Sequence, residues 1–287
     1  MSNPSVASLD KLVCPACRAE LLPSPARLTC SRCHQGYPLR DGIPDFLDEV
    51  RRSQRVGSWI RLPEKIRQSH SAWLAEHGGA LTDLAVRIWW ELFAKIYESR
   101  ICIQRALQEL SLGQLQAEAI YDRMLAKVRR EGGLILDAAS GPGTLGRRLA
   151  GPQGIFAVDL LLPMLHRGAA HAAAEKVLNI QFVSARVESL PFLDSAFDGA
   201  ILGQALHWMP DAAVALSELA RVLRQRAPLS GSTVLKGGRS RPACTCADNG
   251  GHPFEIDELR ALLQRAGFDR IEIESIGELI LFSAQRA

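Results

Sequence analysis

No stretch of the 287 residues reaches the roughly 18–20 consecutive apolar positions that a membrane span needs. The most apolar-looking segment, Phe156–Leu165, is broken by Asp159 and Pro163. The opening MSNPSVASLDKLVCPAC lacks a basic stretch followed by an apolar one, so no signal peptide is expected and a cytoplasmic location is. Charge of one sign is also scarce. Lys plus Arg total 34 against 31 for Asp plus Glu, a net +3 that gives no strong footprint for nucleic acid. There is no internal repeat and no long low-complexity tract, which excludes a solenoid. With 47% hydrophobic and 23% charged residues, wholesale disorder is excluded as well. Cysteine is present in odd number, seven, and four of the seven stand in two Cys-x-x-Cys pairs. In a chain without an export signal, that pattern reads as metal binding and not as a disulfide framework.

Three zones differ in texture. Residues 1–50 are rich in Cys and Pro and poor in helical periodicity. Residues 51–131 read as helical: Leu84, Ile88, Leu92 and Ile96 recur every four positions, with Ala85, Trp89 and Phe93 beside them. This zone holds four of the five tryptophans, including adjacent Trp89 and Trp90, and is expected to form a lid over an acceptor. From residue 132 to 287, short apolar runs alternate with helical patterns, which predicts an α/β domain with a mostly parallel sheet. Its expected strands are Leu134–Ala138, Gly154–Val158, Ile180–Ser184, Phe197–Leu202, Thr233–Lys236, Arg270–Ser275 and Glu278–Ala284. Expected helices include Asp211–Arg224 and Glu255–Ala266, the latter closed by Gly267 as a left-handed cap. The Gly-, Ser- and Arg-rich stretch Arg226–Gly251, with Cys244 and Cys246, reads as loop.

Cys14 and Cys17, then Cys30 and Cys33, make two knuckles that can set four thiolates tetrahedrally around one Zn²⁺. Four sulfurs close the coordination sphere, so the metal is expected to be structural, and His34 beside them to be a surface residue. The following run, Tyr37-Pro38-Leu39-Arg40-Asp41-Gly42-Ile43-Pro44-Asp45-Phe46-Leu47, resembles the zinc-ribbon family whose members activate tRNA and protein methyltransferases. That resemblance implies a protein partner docking through the ribbon as one use of it.

Leu134-Ile135-Leu136-Asp137-Ala138-Ala139-Ser140-Gly141-Pro142-Gly143-Thr144-Leu145-Gly146 reads as a strand entering a glycine bend and then a helix. Gly141, Gly143 and Gly146 also satisfy a dinucleotide spacing, so a nicotinamide oxidoreductase is a competing reading. Asp137, however, puts a carboxylate where a cationic amino-acid moiety is welcome and a pyrophosphate is repelled. Asp159, ending the next strand, can hold both hydroxyls of a ribose.

The runs Glu188-Ser189-Leu190-Pro191-Phe192, Ala196-Phe197-Asp198-Gly199-Ala200-Ile201 and Glu218-Leu219-Ala220-Arg221-Val222-Leu223-Arg224 resemble class I S-adenosylmethionine-dependent methyltransferases of the quinone-biosynthesis type. The resemblance implies a Rossmann-like sheet of seven strands whose last hairpin is antiparallel, preceded here by a zinc ribbon and a helical insert. It implies S-adenosylmethionine contacts from Asp137, Ala139, Gly141, Gly143, Asp159, Leu160, Arg186, Val187 and Gln204. Arg186 departs from the family, which usually carries an Asp there, and Arg224–Gly231 replaces an expected Pro-Gly-Gly turn. His207, just past the fourth strand, is the candidate general base. The expected reaction is methyl transfer to a small-molecule acceptor. An rRNA or tRNA base methyltransferase, and a non-catalytic methyltransferase-like partner protein, are the alternatives.

Overall fold

The computed structural model describes residues 10–47, 114–129, 133–149, 154–237 and 252–287. The tryptophan-bearing part of the helical insert and the Cys244–Cys246 segment lie outside the described residues.

The N-terminal segment forms a four-stranded antiparallel sheet, in the order β1 (Leu21–Pro23), β2 (Arg27–Cys30), β3 (Gly36–Arg40), β4 (Ile43–Pro44). Asp41 (φ +49°) and Gly42 (φ +82°) make the tight turn between β3 and β4, which needs left-handed backbone at both positions. This sheet does not close a core of its own. Leu12, Leu21, Leu28, Tyr37 and Phe46 are buried in one cluster with Phe156, Phe192 and Phe197, which stack edge-to-face among themselves at 4.9–5.9 Å.

The main sheet follows α1 (Gln114–Val128) and comprises, among the described residues, seven strands. They are β5 (Leu134–Ala138), β6 (Gly154–Asp159), β7 (Ile180–Ser184), β8 (Gly199–Gly203), β9 (Pro228–Val234), β10 (Phe268–Ile276) and β11 (Leu279–Arg286). The spatial order is β10-β11-β9-β8-β5-β6-β7, parallel from β9 through β7, with β11 antiparallel to both β9 and β10. The terminal hairpin is therefore antiparallel, as the resemblance implied. Linking helices are α2 (Thr144–Arg148), α3 (Leu162–Glu175), α4 (Ala212–Val222) and α5 (Ile256–Arg265). Asp211 caps α4, its Oδ1 accepting from Val214 N at 3.0 Å, and a capping box of Glu255 and Glu258 opens α5. Gly267, at φ +88°, follows the end of α5 in the left-handed conformation the sequence suggests. No helix among the described residues is long and apolar enough to cross a membrane.

One strand differs from expectation. β9 begins at Pro228, not at Thr233, so the first part of the segment read as loop is a strand buried at every position. The sequence Pro-Leu-Ser-Gly-Ser-Thr-Val hides it because Ser and Gly carry little strand preference, and a proline is tolerated at a strand's first residue. Gly231 is required there: a Cβ would sit 2.3 Å from Phe282 Cζ and 2.7 Å from the Leu202 carbonyl. Gly231→Ala should therefore cost about 1–3 kcal/mol in urea denaturation, since neither backbone nor a packed ring can yield freely.

Candidate active site

The strand order reverses between β5 and β8: β6 and β7 lie to one side, β8 and β9 to the other. In an open parallel sheet the two connections leaving such a point run to opposite faces and open a crevice at the carboxyl ends. The loop 139–143 after β5 and the turn 204–208 after β8 face that point. Each contains a non-glycine residue held in left-handed backbone, Ala139 (φ +51°) and Gln204 (φ +52°). L residues pay roughly 1 kcal/mol for that geometry, and such outliers gather at ligand sites.

The glycine bend is built from several directions. Gly141 (φ +55°) and Gly143 (φ +69°) supply the backbone reversal into α2. Asp137 is 1% exposed, and its Oδ2 accepts from Gly146 N at 2.8 Å. A Cβ on Gly146 would come within 2.9 Å of that same oxygen, which explains the third glycine. Asp159 accepts from Gly141 N at 2.8 Å through Oδ2 and from Leu161 N at 2.9 Å through Oδ1. Burial raises both carboxyls, Asp137 to about 7, and backbone N–H donors only partly offset it. Two buried carboxyl groups flanking a bend without side chains favour a cationic ligand over an anionic one.

Gly168, in the middle of α3, lets that helix lie against the bend: a Cβ there would meet Phe182 Cε1 at 2.6 Å and the Pro142 carbonyl oxygen at 2.7 Å. Gly168→Ala should shift α3 or the bend, lowering cofactor affinity more than its ordinary helix-propensity gain would suggest. Calorimetry beside a melting curve reads both effects. A glycine inside an Ala-rich helix costs about 1 kcal/mol against Ala, and that is the sequence signal for this position.

On the far side of Asp159, the segment after β7 carries Arg186 and Val187. Val187 is buried, and Arg186 Nε lies 3.7 Å from Glu188 Oε2. Leu160 follows Asp159 directly and is half-buried. His207 lies in the short 3₁₀ turn Leu206–Trp208, 3% exposed, with Nδ1 3.3 Å from Thr233 Oγ1. Burial alone holds its pKa down at about 4, so the imidazole is neutral near pH 7. Trp208 is half-buried with its ring 5.2 Å from that of His207.

The N-terminal sheet contributes to the same end of the molecule in a way the sequence did not suggest. Val13 N donates to the Pro191 carbonyl, Leu193 N to that of Lys11, and Phe46 N to that of Ser184. Asp45, 1% exposed, accepts from Ser184 Oγ at 2.9 Å and from Arg40 Nε at 2.9 Å. Ser184 is paired with Asp159 across β7 and β6. Arg18 and Arg221 converge on the same acceptors, the carbonyls of Leu190 and Phe192 and the carboxylate of Asp194. The sequence hint is that Asp45 is the one charged residue within the apolar run Ile43-Pro44-Asp45-Phe46-Leu47.

Cys14, Cys17, Cys30 and Cys33 bring their sulfurs within 4.8 Å of one another, and His34 stays exposed outside the cluster. Tyr37 Oη is 3.1 Å from Cys14 Sγ, and the N–H groups of Arg32 and Cys33 both donate to Cys30 Sγ at 3.4 Å. Burial opposes ionisation of Cys30, but those two donors and its thiol neighbours bring it down to about 6.

Sheet order, the switch point and the glycine bend together are those of the class I methyltransferase fold. Residues 135–226 match the family model described as a methyltransferase domain. Among curated proteins, the malonyl-[acyl-carrier protein] O-methyltransferase of Pseudescherichia vulneris is 37% identical over 130 residues, 44% of this chain and 49% of that protein. The ubiquinone/menaquinone biosynthesis C-methyltransferase of Hahella chejuensis is 38% identical over 103 residues, 33% of this chain and 40% of that one. The chain thus spans about half the length, or less, of these relatives. Among solved structures, an S-adenosylmethionine-dependent methyltransferase from Thermotoga maritima superposes with a TM-score of 0.54 at 15% identity, covering 69% of this chain and 99% of that one.

Proposed function

We propose that the protein transfers a methyl group from S-adenosylmethionine to a small-molecule acceptor, and that its four-cysteine cluster holds a structural zinc. The observation that carries the first part is the pairing of Asp137 and Asp159 with a side-chain-free bend at the switch point. That pair of carboxyl groups fits a positively charged sulfonium and ammonium and disfavours a pyrophosphate. For the metal, thiolates about 2.3 Å from one Zn²⁺ stand under 4 Å apart in a tetrahedron, close to the spacing of these sulfurs.

S-adenosylmethionine supplies an already activated methyl group. The chain's own work is to bind, orient and exclude water, which is worth roughly 7–11 kcal/mol of barrier when the geometry is right. Asp159 is assigned the ribose hydroxyls, since a carboxylate keeps spare lone pairs after accepting two backbone N–H groups. Gly141 and Gly143 let the ligand approach the backbone. Arg186 and Val187 frame the adenine end. Gln204 and Ala139 line the opposite end. His207 is assigned the proton of the acceptor. Burial keeps its imidazole neutral near pH 7 but, by holding its pKa at about 4, makes it a weak base, which suits an acceptor that gives up its proton readily. The named activity of the quinone-biosynthesis C-methyltransferase relative supports a small acceptor, and that of the malonyl-[acyl-carrier protein] O-methyltransferase an acyl group on a carrier.

Asp159→Ala should weaken S-adenosylhomocysteine binding by about 10- to 100-fold in calorimetry, the loss expected for removing charge-assisted hydrogen bonds. Incubating the protein with methyl-labelled donor and fractionated extract tests the acceptor. Label in the small-molecule fraction supports the reading, and label confined to RNA overturns it.

A further inference from the structure

We propose that Ser232 is a positioning residue for the amino-acid end of the methyl donor, acting through Gln204. The inference rests on the methyl-donor reading above and adds a residue that neither the glycine bend nor the motif after β7 contains.

β9 runs parallel to β8, with Ser232 opposite Gly203. The next residue along the chain, Gln204, is therefore delivered directly beside Ser232 at the carboxyl edge of the sheet. Its backbone N–H is held twice, by the Ser232 carbonyl at 3.0 Å and by Ser232 Oγ at 3.2 Å. The same hydroxyl oxygen accepts from Gln204 Nε2 at 3.4 Å. One buried hydroxyl, on a residue 2% exposed, thus fixes both the main chain and the side chain of a residue whose φ of +52° is unfavourable by itself.

That arrangement has a chemical consequence. With Nε2 turned to Ser232, Oε1 is the side-chain atom of Gln204 left to accept from a ligand, and an acceptor suits an ammonium group. The position agrees with this. With the ribose on Asp159 at the end of β6 and adenine toward the segment after β7, the rest of the donor runs the other way, past β5 to the end of β8. Gln204 stands there, across the switch point from Ala139. Gly203 keeps that end of β8 close to the bend, since a Cβ on it would meet Leu145 Cδ1 of α2 at 2.5 Å. The Ser232 hydroxyl is already engaged by both the backbone N–H and the side chain of Gln204, which makes it a positioning group for that residue.

The test compares two ligands by titration calorimetry: S-adenosylhomocysteine and 5′-methylthioadenosine, which keeps the adenosine and the sulfur but has no amino-acid end. Ser232→Ala should weaken S-adenosylhomocysteine about 5- to 10-fold, as expected for one lost hydrogen-bonding partner, and leave 5′-methylthioadenosine unchanged. Ser232→Thr, which keeps the hydroxyl, should restore most of the difference. Gln204→Ala should show the same selectivity between the ligands and serves if Ser232→Ala does not fold. Equal losses for both ligands, or no loss for S-adenosylhomocysteine, would overturn the proposal. Wild-type protein that bound neither ligand would instead overturn the methyl-donor reading on which it rests.

Discussion

Removing the proposed zinc from Cys14, Cys17, Cys30 and Cys33 should lower the melting temperature of the whole described structure, not only of its first forty residues. A structural zinc contributes roughly 10–16 kcal/mol of apparent binding free energy at pH 7, more than a small β segment gains from its own packing. Leu12, Leu28, Tyr37 and Phe46 are buried together with Phe156, Phe192 and Phe197, so losing the N-terminal sheet would expose apolar surface on the methyltransferase domain. It would also release Ser184 from Asp45 and the 190–194 segment from Arg18. Chelation, or Cys30→Ser, should therefore produce one transition at lower temperature and faster amide exchange around Leu190–Asp194, along with weaker S-adenosylhomocysteine binding. Two separate transitions, with cofactor affinity unmoved, would show that the two sheets are energetically independent.

Asp137→Asn should stabilise the ligand-free protein at high pH and weaken its hold on the donor. Burial raises the Asp137 carboxyl to about 7, whereas in the unfolded chain it titrates near 3.9. Between those values the folded protein binds the extra proton, so this group's contribution to stability is present at low pH and lost as pH rises toward 7. His207 acts in the opposite sense. Its pKa falls to about 4 on folding, so its contribution is lost as pH drops from about 6.5. The two slopes overlap, and the wild-type profile alone will not separate them. The difference between Asp137→Asn and wild type will: it should grow from pH 4 to 7 and level off above, reaching up to roughly 4 kcal/mol. A flat difference would mean that the carboxyl is ionised throughout. Because a cation favours the charged form, S-adenosylmethionine should lose more affinity on this substitution than S-adenosylhomocysteine, which lacks the sulfonium charge. Stability given up at a ligand site in exchange for binding is a common trade.

Much of this was legible in the sequence because the relevant signals are local. Two Cys-x-x-Cys pairs define a cluster by spacing alone. The bend from Asp137 to Gly146 announces itself through glycines and a strand-ending carboxylate, and apolar runs mark β5, β6 and β7. The start of β9 is hidden because Ser230, Gly231 and Ser232 look like loop residues; they are in a strand because β8 and β11 pair with them on either side. Contacts between distant segments were illegible for the same reason. Nothing near Asp45 or Arg18 reveals that one meets Ser184 and the other the carbonyls of Leu190 and Phe192, since those partners lie well over a hundred residues away. Left-handed backbone at Ala139 and Gln204 was equally hidden, because neither residue type favours it.

The two margins of the main sheet are treated differently, and this bears on how copies of the chain can meet. Beside β7, Asp45 forms a parallel bridge with Ser184, and Ile43 packs with Phe182 and Leu165. At the other margin, β10 is interrupted by a bulge between Asp269 and Glu272, with Arg270 at φ +45°, while Arg260 of α5 donates to the Ile271 carbonyl. Acidic side chains and an irregular backbone are recognised devices against strand-to-strand joining. Among the described residues, one margin of the sheet is thus covered by the four-cysteine segment and the other is marked by charge and distortion, so neither offers a second copy a regular, open strand edge.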